Sequence, residues 1–224
     1  VSGSFVWRDA GRTVVFGAGG VGSAPKLLAE HAMEPFELLS TPRHLRDAEG
    51  LAREAVGVHE VASGGVPEAA AALLDSVGSP NLVALGGGRA IDTAKAVASV
   101  TGARVAAIPT TMSGAEMTGI HRLPAGAEDR VKALVRPELV IAGPAAMTSA
   151  PEQELRASSM NALAHGADSL YTPFANPVSE MTALRGAELI AASLDESPDE
   201  RNREALALGS VLCGYAIDSG MFSL

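Results

Sequence analysis

The sequence predicts an α/β protein, with a parallel-sheet dinucleotide-binding domain over residues 1–150 and an all-helical domain over 151–224. Three observations carry this expectation. Short Val/Ile/Leu runs are each closed by glycine or proline through the first two thirds of the chain. One unit, Asn81-Leu82-Val83-Ala84-Leu85, then Gly86-Gly87-Gly88-Arg89, a helical stretch from Ala90 to Val100 and Val105-Ala106-Ala107-Ile108, reads strand, turn, helix, strand. Strands joined by a helical crossover run parallel. Beyond Ala150-Pro151 only helical periodicity remains.

Thr13-Val14-Val15-Phe16 is a β-branched strand ending in Gly17, and Ala24 to Met33 has helical spacing closed by Pro35. Phe36 to Leu39 reads as a second strand, Leu45 to Ala55 as one charged amphipathic helix, and Val58 to Ala62 as a short strand. Pro67 suits the first turn of the helix Ala69 to Val77, because the N–H it lacks there has no helical partner anyway. Val131 to Ile141 reads as extended, and three helices follow over Glu152 to Tyr171, Pro177 to Leu194 and Glu200 to Ser219.

Composition excludes several classes. Of 224 residues 47% are hydrophobic and 19% charged, which is unlike a disordered tail. The 17 Lys+Arg against 26 Asp+Glu leave a net charge of −9, which repels nucleic acid and anionic membranes. No apolar run is long enough to span a bilayer, and the one cysteine, Cys213, has no internal partner. A soluble cytoplasmic globular protein is expected.

Two glycine turns compete for a phosphate. Gly17-x-Gly19-x-x-Gly22 follows a strand and has Glu37 twenty residues on, the spacing of a dinucleotide fingerprint. Glu37, however, falls inside its strand rather than at the carboxyl end, where a ribose hydroxyl would lie. Gly86-Gly87-Gly88 offers a run of N–H donors without β-carbons, followed by Asp92 and Lys95, which as a bland alternative form a local ion pair on a solvated helix start. The next strand ends in Pro109-Thr110-Thr111-Met112-Ser113-Gly114, whose hydroxyls suit ribose and phosphate. Carboxyl ends of neighbouring parallel strands share one crevice. In the helical half, Asn161 and His165 stand four apart on one face. Such a histidine serves as metal ligand, acid or anion clamp, or packs as a core residue. His31, His44 and His59 read as structural, His121 as a possible neighbour of the crevice, and Cys213 as buried and inert.

These segments resemble a known family. Gly86 to Lys95 is similar to the glycine-rich turn of the iron-containing alcohol dehydrogenases. Ile108-Pro109-Thr110-Thr111-Met112-Ser113-Gly114-Ala115-Glu116-Met117-Thr118, Ser159-Met160-Asn161-Ala162-Leu163-Ala164-His165 and Leu170 to Pro177 resemble its maleylacetate reductase branch. The resemblance implies an active site between the two domains. Gly86, Gly87 and Gly88 would hold the pyrophosphate of NAD or NADP, Arg89 and Asp92 would also belong to the cofactor site, Thr110, Thr111 and Ser113 would line its nicotinamide half, and Asn161 and His165 would be catalytic residues. It implies hydride transfer to a small carboxylate such as maleylacetate, in a homodimer.

Asn161 stands where metal-dependent members carry an aspartate ligand to Fe or Zn, which favours a metal-free site in which His165 binds or protonates substrate. The family's remaining site histidines lie downstream of the segment resembling Gly214 to Leu224, so the chain reads as truncated, with apolar Met221 and Phe222 awaiting partner helices. Arg89 replaces the turn's usual serine, and Ser40-Thr41-Pro42 supplies no carboxylate to select NAD over NADP. A non-catalytic nucleotide-binding protein and a lyase on the same scaffold are the rival expectations.

Overall fold

A hairpin opens the sheet. Phe5–Asp9 (β1) pairs antiparallel with Arg12–Phe16 (β2) across Ala10-Gly11, whose φ angles of 44° and 85° match the twist a two-residue hairpin turn needs. The computed structural model describes residues 3–17, 20–46 and 48–222, the side chains of 221 and 222 excepted. Gly19 of the first glycine turn, Ser223 and Leu224 therefore lie outside the described residues, as does the proposed apolar tail packing.

Five further strands follow: Glu37–Ser40 (β3), Gly57–Glu60 (β4), Asn81–Gly86 (β5), Arg104–Pro109 (β6) and Leu139–Ala142 (β7). The order across the sheet is β1-β2-β7-β6-β5-β3-β4, and all pairs except β1·β2 are parallel. Among the described residues six α-helices lie between or just after the strands: Ala24–Glu30 (α1), Pro42–Leu45 (α2), Glu49–Glu54 (α3), Val66–Leu73 (α4), Gly88–Thr101 (α5) and Pro144–Met147 (α6). The long ones come last: Glu152–Ser169 (α7), Pro177–Asp195 (α8) and Arg203–Phe222 (α9).

Alternation along the strands divides the core. Leu82, Ala84, Val105 and Ala107 meet α4 and α5 on one face, whereas Val83, Leu85, Ala106 and Ile108 meet α1 and α3 on the other. Both faces of β5 and β6 are covered, so these strands are apolar beyond their first residues, Asn81 and Arg104. Val14, Phe16, Val140 and Ala142 pack instead against Leu155, Ala162, Ile190 and Leu206 of the long helices. Val140 is the register partner of Ala107, so α7–α9 occupy the same face as α5, over the opposite part of the sheet. A cleft separates them, floored by the chain leaving β6. Gly166 and Gly186 bring the long helices together at Cys213, since a Cβ on either would lie 2.8 or 2.6 Å from its sulfur. Cys213 is accordingly buried, and desolvation raises its thiol to about 11.

α8 begins with a reciprocal capping box between Asn176 and Ser179, and Pro177 in its first turn. Gly102, in left-handed backbone at φ 85°, closes α5.

Three expectations change. The single helix over Leu45 to Ala55 is two short pieces, α2 and α3. Of the extended segment Val131 to Ile141 only the end is strand: the Val135 N–H goes to His121 and the Lys132 N–H to Ser99, so neither is available to a sheet neighbour. The strand β1 was not foreseen. Among the described residues no helix is long and apolar enough to cross a membrane.

Candidate functional site

The sheet changes direction at one place. From β3 the chain runs outward to β4, whereas from β5 it runs the other way through β6 to β7, so the crevice beyond β3 and β5 is the topological switch point at which open parallel sheets bind ligands. β5 delivers Gly86-Gly87-Gly88 there. Gly87 is the cap of α5 and among the described residues no side chain bonds the first N–H groups of that helix, which leaves them directed at the crevice with the positive end of the helix dipole. β-Carbons would be crowded in this turn. On Gly87 one would come within 3.0 Å of Thr111, on Gly88 within 3.1 Å of Ser113, and on Gly86 within 2.9 Å of Ala90.

A cavity of about 550 Å³ opens at this point, between Thr41–His44 on one wall and Gly87–Ala90 with Thr111 on the other. A second, of about 250 Å³, continues from Gly88 into the cleft under the long helices, where Asp92, Ser113, Thr118, Asn161, His165 and Ile217 line it. Gly88 belongs to both, so an extended ligand can lie through the two.

Asn161 Nδ2 donates to the Ser113 carbonyl at 3.3 Å and lies 3.1 Å from His165 Nε2. One amide orientation serves both contacts only if Nε2 accepts, which places the ring proton on Nδ1. Asn161 thereby ties α7 to the loop after β6. It is exposed at the cavity, and His165 is half-buried.

That loop is braced from below by buried charge. Lys95, with no exposed surface, donates to Asp92 at 2.8 Å and to the carbonyls of Ala115 and Ile120 at 3.0 and 2.6 Å. Burial lowers its pKa, with the charge of Asp92 opposing. Arg12 donates to the Met117 carbonyl at 2.5 Å and pairs with Asp9 at 2.7 Å. Asp218 of α9 accepts the Gly119 N–H at 2.9 Å and pairs with Arg136 at 2.7 Å. Glu116 is fully buried among them, both carboxylate oxygens lack a hydrogen-bond partner, and desolvation raises its pKa to about 7.

The predicted residues divide accordingly. Gly87, Gly88, Arg89, Thr111, Asp92, Ser113, Asn161 and His165 line the joined cavities; Gly86 ends β5 just behind them. Thr110 lines neither cavity: it is buried, and its hydroxyl has no partner. Asp92 and Lys95 do pair, but not on a solvated helix start. The Gly17 fingerprint fails on topology. Glu37 stands at the amino end of β3, where its carboxylate takes the N–H groups of Gly78 and Ser79 and pairs with His59 at 2.8 Å. Three strands separate β2 from β3, so the two never form one βαβ unit. His121 is structural, accepting from Val135 N–H and donating to the Arg122 carbonyl. Burial lowers its pKa. His44 is the reverse case, expected to be structural and found on the cavity wall.

Sequence reasoning missed the Thr41–His44 wall and the contribution of α9 through Ile217. Only the exit of the second strand pointed at the first, and nothing local pointed at the second. Among the described residues no three His, Cys, Asp or Glu side chains gather as a metal site. Among the described residues lining the second cavity, His165 and Asp92 are the only such donors, and Asp92 is held by Lys95; two side chains fall short of the three or more that iron or zinc takes.

A parallel sheet with a glycine turn at its switch point, facing a helical layer across a cleft, is the architecture of the iron-containing alcohol dehydrogenases. The profile of the family described as iron-containing alcohol dehydrogenase matches residues 15–121. The maleylacetate reductase of Rhizobium sp. (strain MTP-10005) is 31% identical over 98% of this chain and 67% of its own length. Maleylacetate reductase 2 of Cupriavidus pinatubonensis is 34% identical over 83% and 55%. The crystal structure of maleylacetate reductase from Agrobacterium tumefaciens superposes with a TM-score of 0.80 at 28% identity, over 97% of this chain and 66% of that one. The chain belongs to the iron-containing alcohol dehydrogenase family, on its maleylacetate reductase branch. It spans about two thirds or less of the length of these relatives.

Proposed function

We propose that this chain carries the nucleotide site and the first catalytic groups of an NAD(P)H-dependent reductase acting on maleylacetate or a related small carboxylate or carbonyl compound. The observation that carries it is the junction at Gly88. A glycine cradle that a β-carbon would crowd, at the head of an uncapped helix, opens on one side to a nucleotide-sized cavity and on the other to Asn161 and His165. The proposal keeps residues 1–150 as the nucleotide-binding portion and 151–224 as the helical one.

In this reading the N–H groups of Gly87, Gly88 and Arg89 hold the diphosphate, whose negative charge the helix end favours. Thr111 and Ser113 flank the dihydronicotinamide, which when bound supplies a hydride. Ser113 also accepts from Asn161, so the amide sets the spacing between the loop and α7. A substrate oxygen that displaces that amide from His165 Nε2 meets a nitrogen able to carry a proton. His165 is thus placed to stabilise developing negative charge or to protonate the product. The buried Lys95, Arg12 and Asp218 fix the loop, which limits the reorganisation needed in the cleft.

Two measurements on one variant test this. NADH and NADPH titrations should give the same affinity for the wild-type protein and His165→Ala. Turnover of maleylacetate, followed by nucleotide absorbance, should fall at least ~100-fold in the variant. Undiminished turnover would remove His165 from the chemistry; absence of nucleotide binding in both proteins would overturn the whole reading.

A further inference from the structure

The wall of the larger cavity beside β3 is cationic, although the whole chain carries a charge of −9. Arg43 from α2 and Arg89 from the first turn of α5 both line it, together with His44. None of the described lining residues is acidic. Arg89 is exposed, and among the described residues its guanidinium makes no ion pair or hydrogen bond. Arg43 touches Glu154 at 3.4 Å, but the two side chains are 48% and 62% exposed, a contact that water largely screens.

The strand end opposite these cations is equally telling. A wall that selects unphosphorylated ribose presents a carboxylate to its hydroxyls at the carboxyl end of the strand beside the glycine turn. Here that position is Ser40, which is buried and spends its hydroxyl on the Leu85 carbonyl at 2.7 Å. The next hydroxyl, on Thr41, is engaged with His44 at 3.0 Å. Glu37, the carboxylate on this strand, is at its other end, locked to His59.

Direction settles which part of a dinucleotide meets this wall. With the diphosphate at Gly86–Gly88 and the reacting half directed to Ser113 and Asn161, the adenosine half runs the opposite way, to Thr41–His44. We propose that Arg43 and Arg89 form a seat for a phosphate on the adenosine ribose, so that this protein takes NADPH in preference to NADH. The inference rests on the nucleotide reading above and adds to it the specificity of the site. A guanidinium fork matches phosphate geometry in a way a lysine ammonium does not, and both arginines are solvent-accessible, so a ribose phosphate displaces little but water.

Equilibrium titrations of the purified protein with NADPH and NADH provide the test, together with Arg43→Ala, Arg89→Ala and the double variant. The expected result is NADPH binding tighter than NADH by about tenfold or more. Each single variant should narrow that ratio, and the double variant should bring it to about one. The ratio should also shrink as salt is raised, because exposed charges are screened. As a readout free of the nicotinamide, 2′,5′-ADP should compete better than 5′-AMP with the wild type and equally with the double variant. Equal affinity for NADH and NADPH, or a preference for NADH, overturns the proposal. So does a loss in Arg43→Ala and Arg89→Ala that is the same for both nucleotides, since the arginines would then be neutralising the shared diphosphate. Failure of all four ligands to bind overturns it together with the nucleotide reading, and is distinct from binding without preference.

Discussion

Two glycine-rich turns leave two strands of the same sheet and enter helices, and they use glycine for opposite ends. At the first, Gly17 has φ +83° and a β-carbon there would lie 2.8 Å from Ser4 Oγ and 3.0 Å from its Cα. Gly20 passes so close to Gly143 that a β-carbon on the latter would meet its Cα at 2.6 Å. These glycines let backbone pack on backbone where the chains leaving β2 and β7 cross. At the second turn the atoms near Gly87 and Gly88 are side chains of Thr111 and Ser113, and the space beyond is an open cavity. The first turn has the better motif spacing, and the second has the better place. What separates them is strand order: β5 borders the switch point, whereas β2 lies between β1 and β7.

The most direct way to break this contrast is a β-carbon in each turn. Gly87→Val should weaken nucleotide binding at least ~100-fold, since it fills the cradle and removes the approach of several N–H groups to a charged phosphate. The fold should persist, because the obstructing atoms belong to a movable Thr111 side chain. Gly22→Val meets nothing within 4 Å and should leave the affinity within twofold. Isothermal titration with NADPH decides the point. Loss of binding in Gly22→Val alone would restore the first turn as the nucleotide site.

How far the sequence discloses this site follows the same division. Gly86 to Asp92 and Thr111 to Ser113 are legible because each is a strand end with its own turn, and parallel pairing of β5 with β6 is implied by the crossover between them. Arg43 and His44 are not, because their position depends on β3 pairing with β5 across forty residues and on α2, a helix of one turn. Nor is the brace of Arg12 on the loop after β6, or of Asp218 on Gly119, in which the partners are about a hundred residues apart. Lys95 looks like a surface residue in sequence and is buried only because the carbonyls of Ala115 and Ile120 fold over it. β1 escaped notice because an edge strand with one face open, such as Val6 at 54% exposure, lacks the continuous apolar run that marks β5.

The second turn packs against a loop that buries Glu116, which gives a pH test. Glu116 holds its proton to about pH 7 in the folded protein, against an ordinary value of 4.5. The folded state therefore binds more protons than the unfolded chain between these values. The stability this contributes is complete below about pH 4.5 and is lost as pH rises through 7. The difference is of order 3 kcal/mol. Glu116→Gln keeps the shape and cannot ionise, so its stability relative to wild type should rise by that order between pH 5 and 8. Urea denaturation at the two pH values measures it, and parallel profiles for the two proteins would show that Glu116 does not titrate in this range.

The smallest effect isolates the packing function of the first turn. Gly17→Ala forces a side chain into left-handed backbone and against Ser4, at a cost of roughly 1–2 kcal/mol. Because the Gly17 N–H reaches the Ala142 carbonyl at 3.0 Å, the strain falls on the join of β2 to β7, three strands from the β3–β5 crevice. Urea midpoints should therefore drop while NADPH affinity stays within twofold. A residue that costs stability without costing affinity is what a packing glycine must be, and Gly87 should show the converse. If Gly17→Ala lost both in proportion, the two turns would be parts of one cooperative site, and strand order would no longer separate their roles.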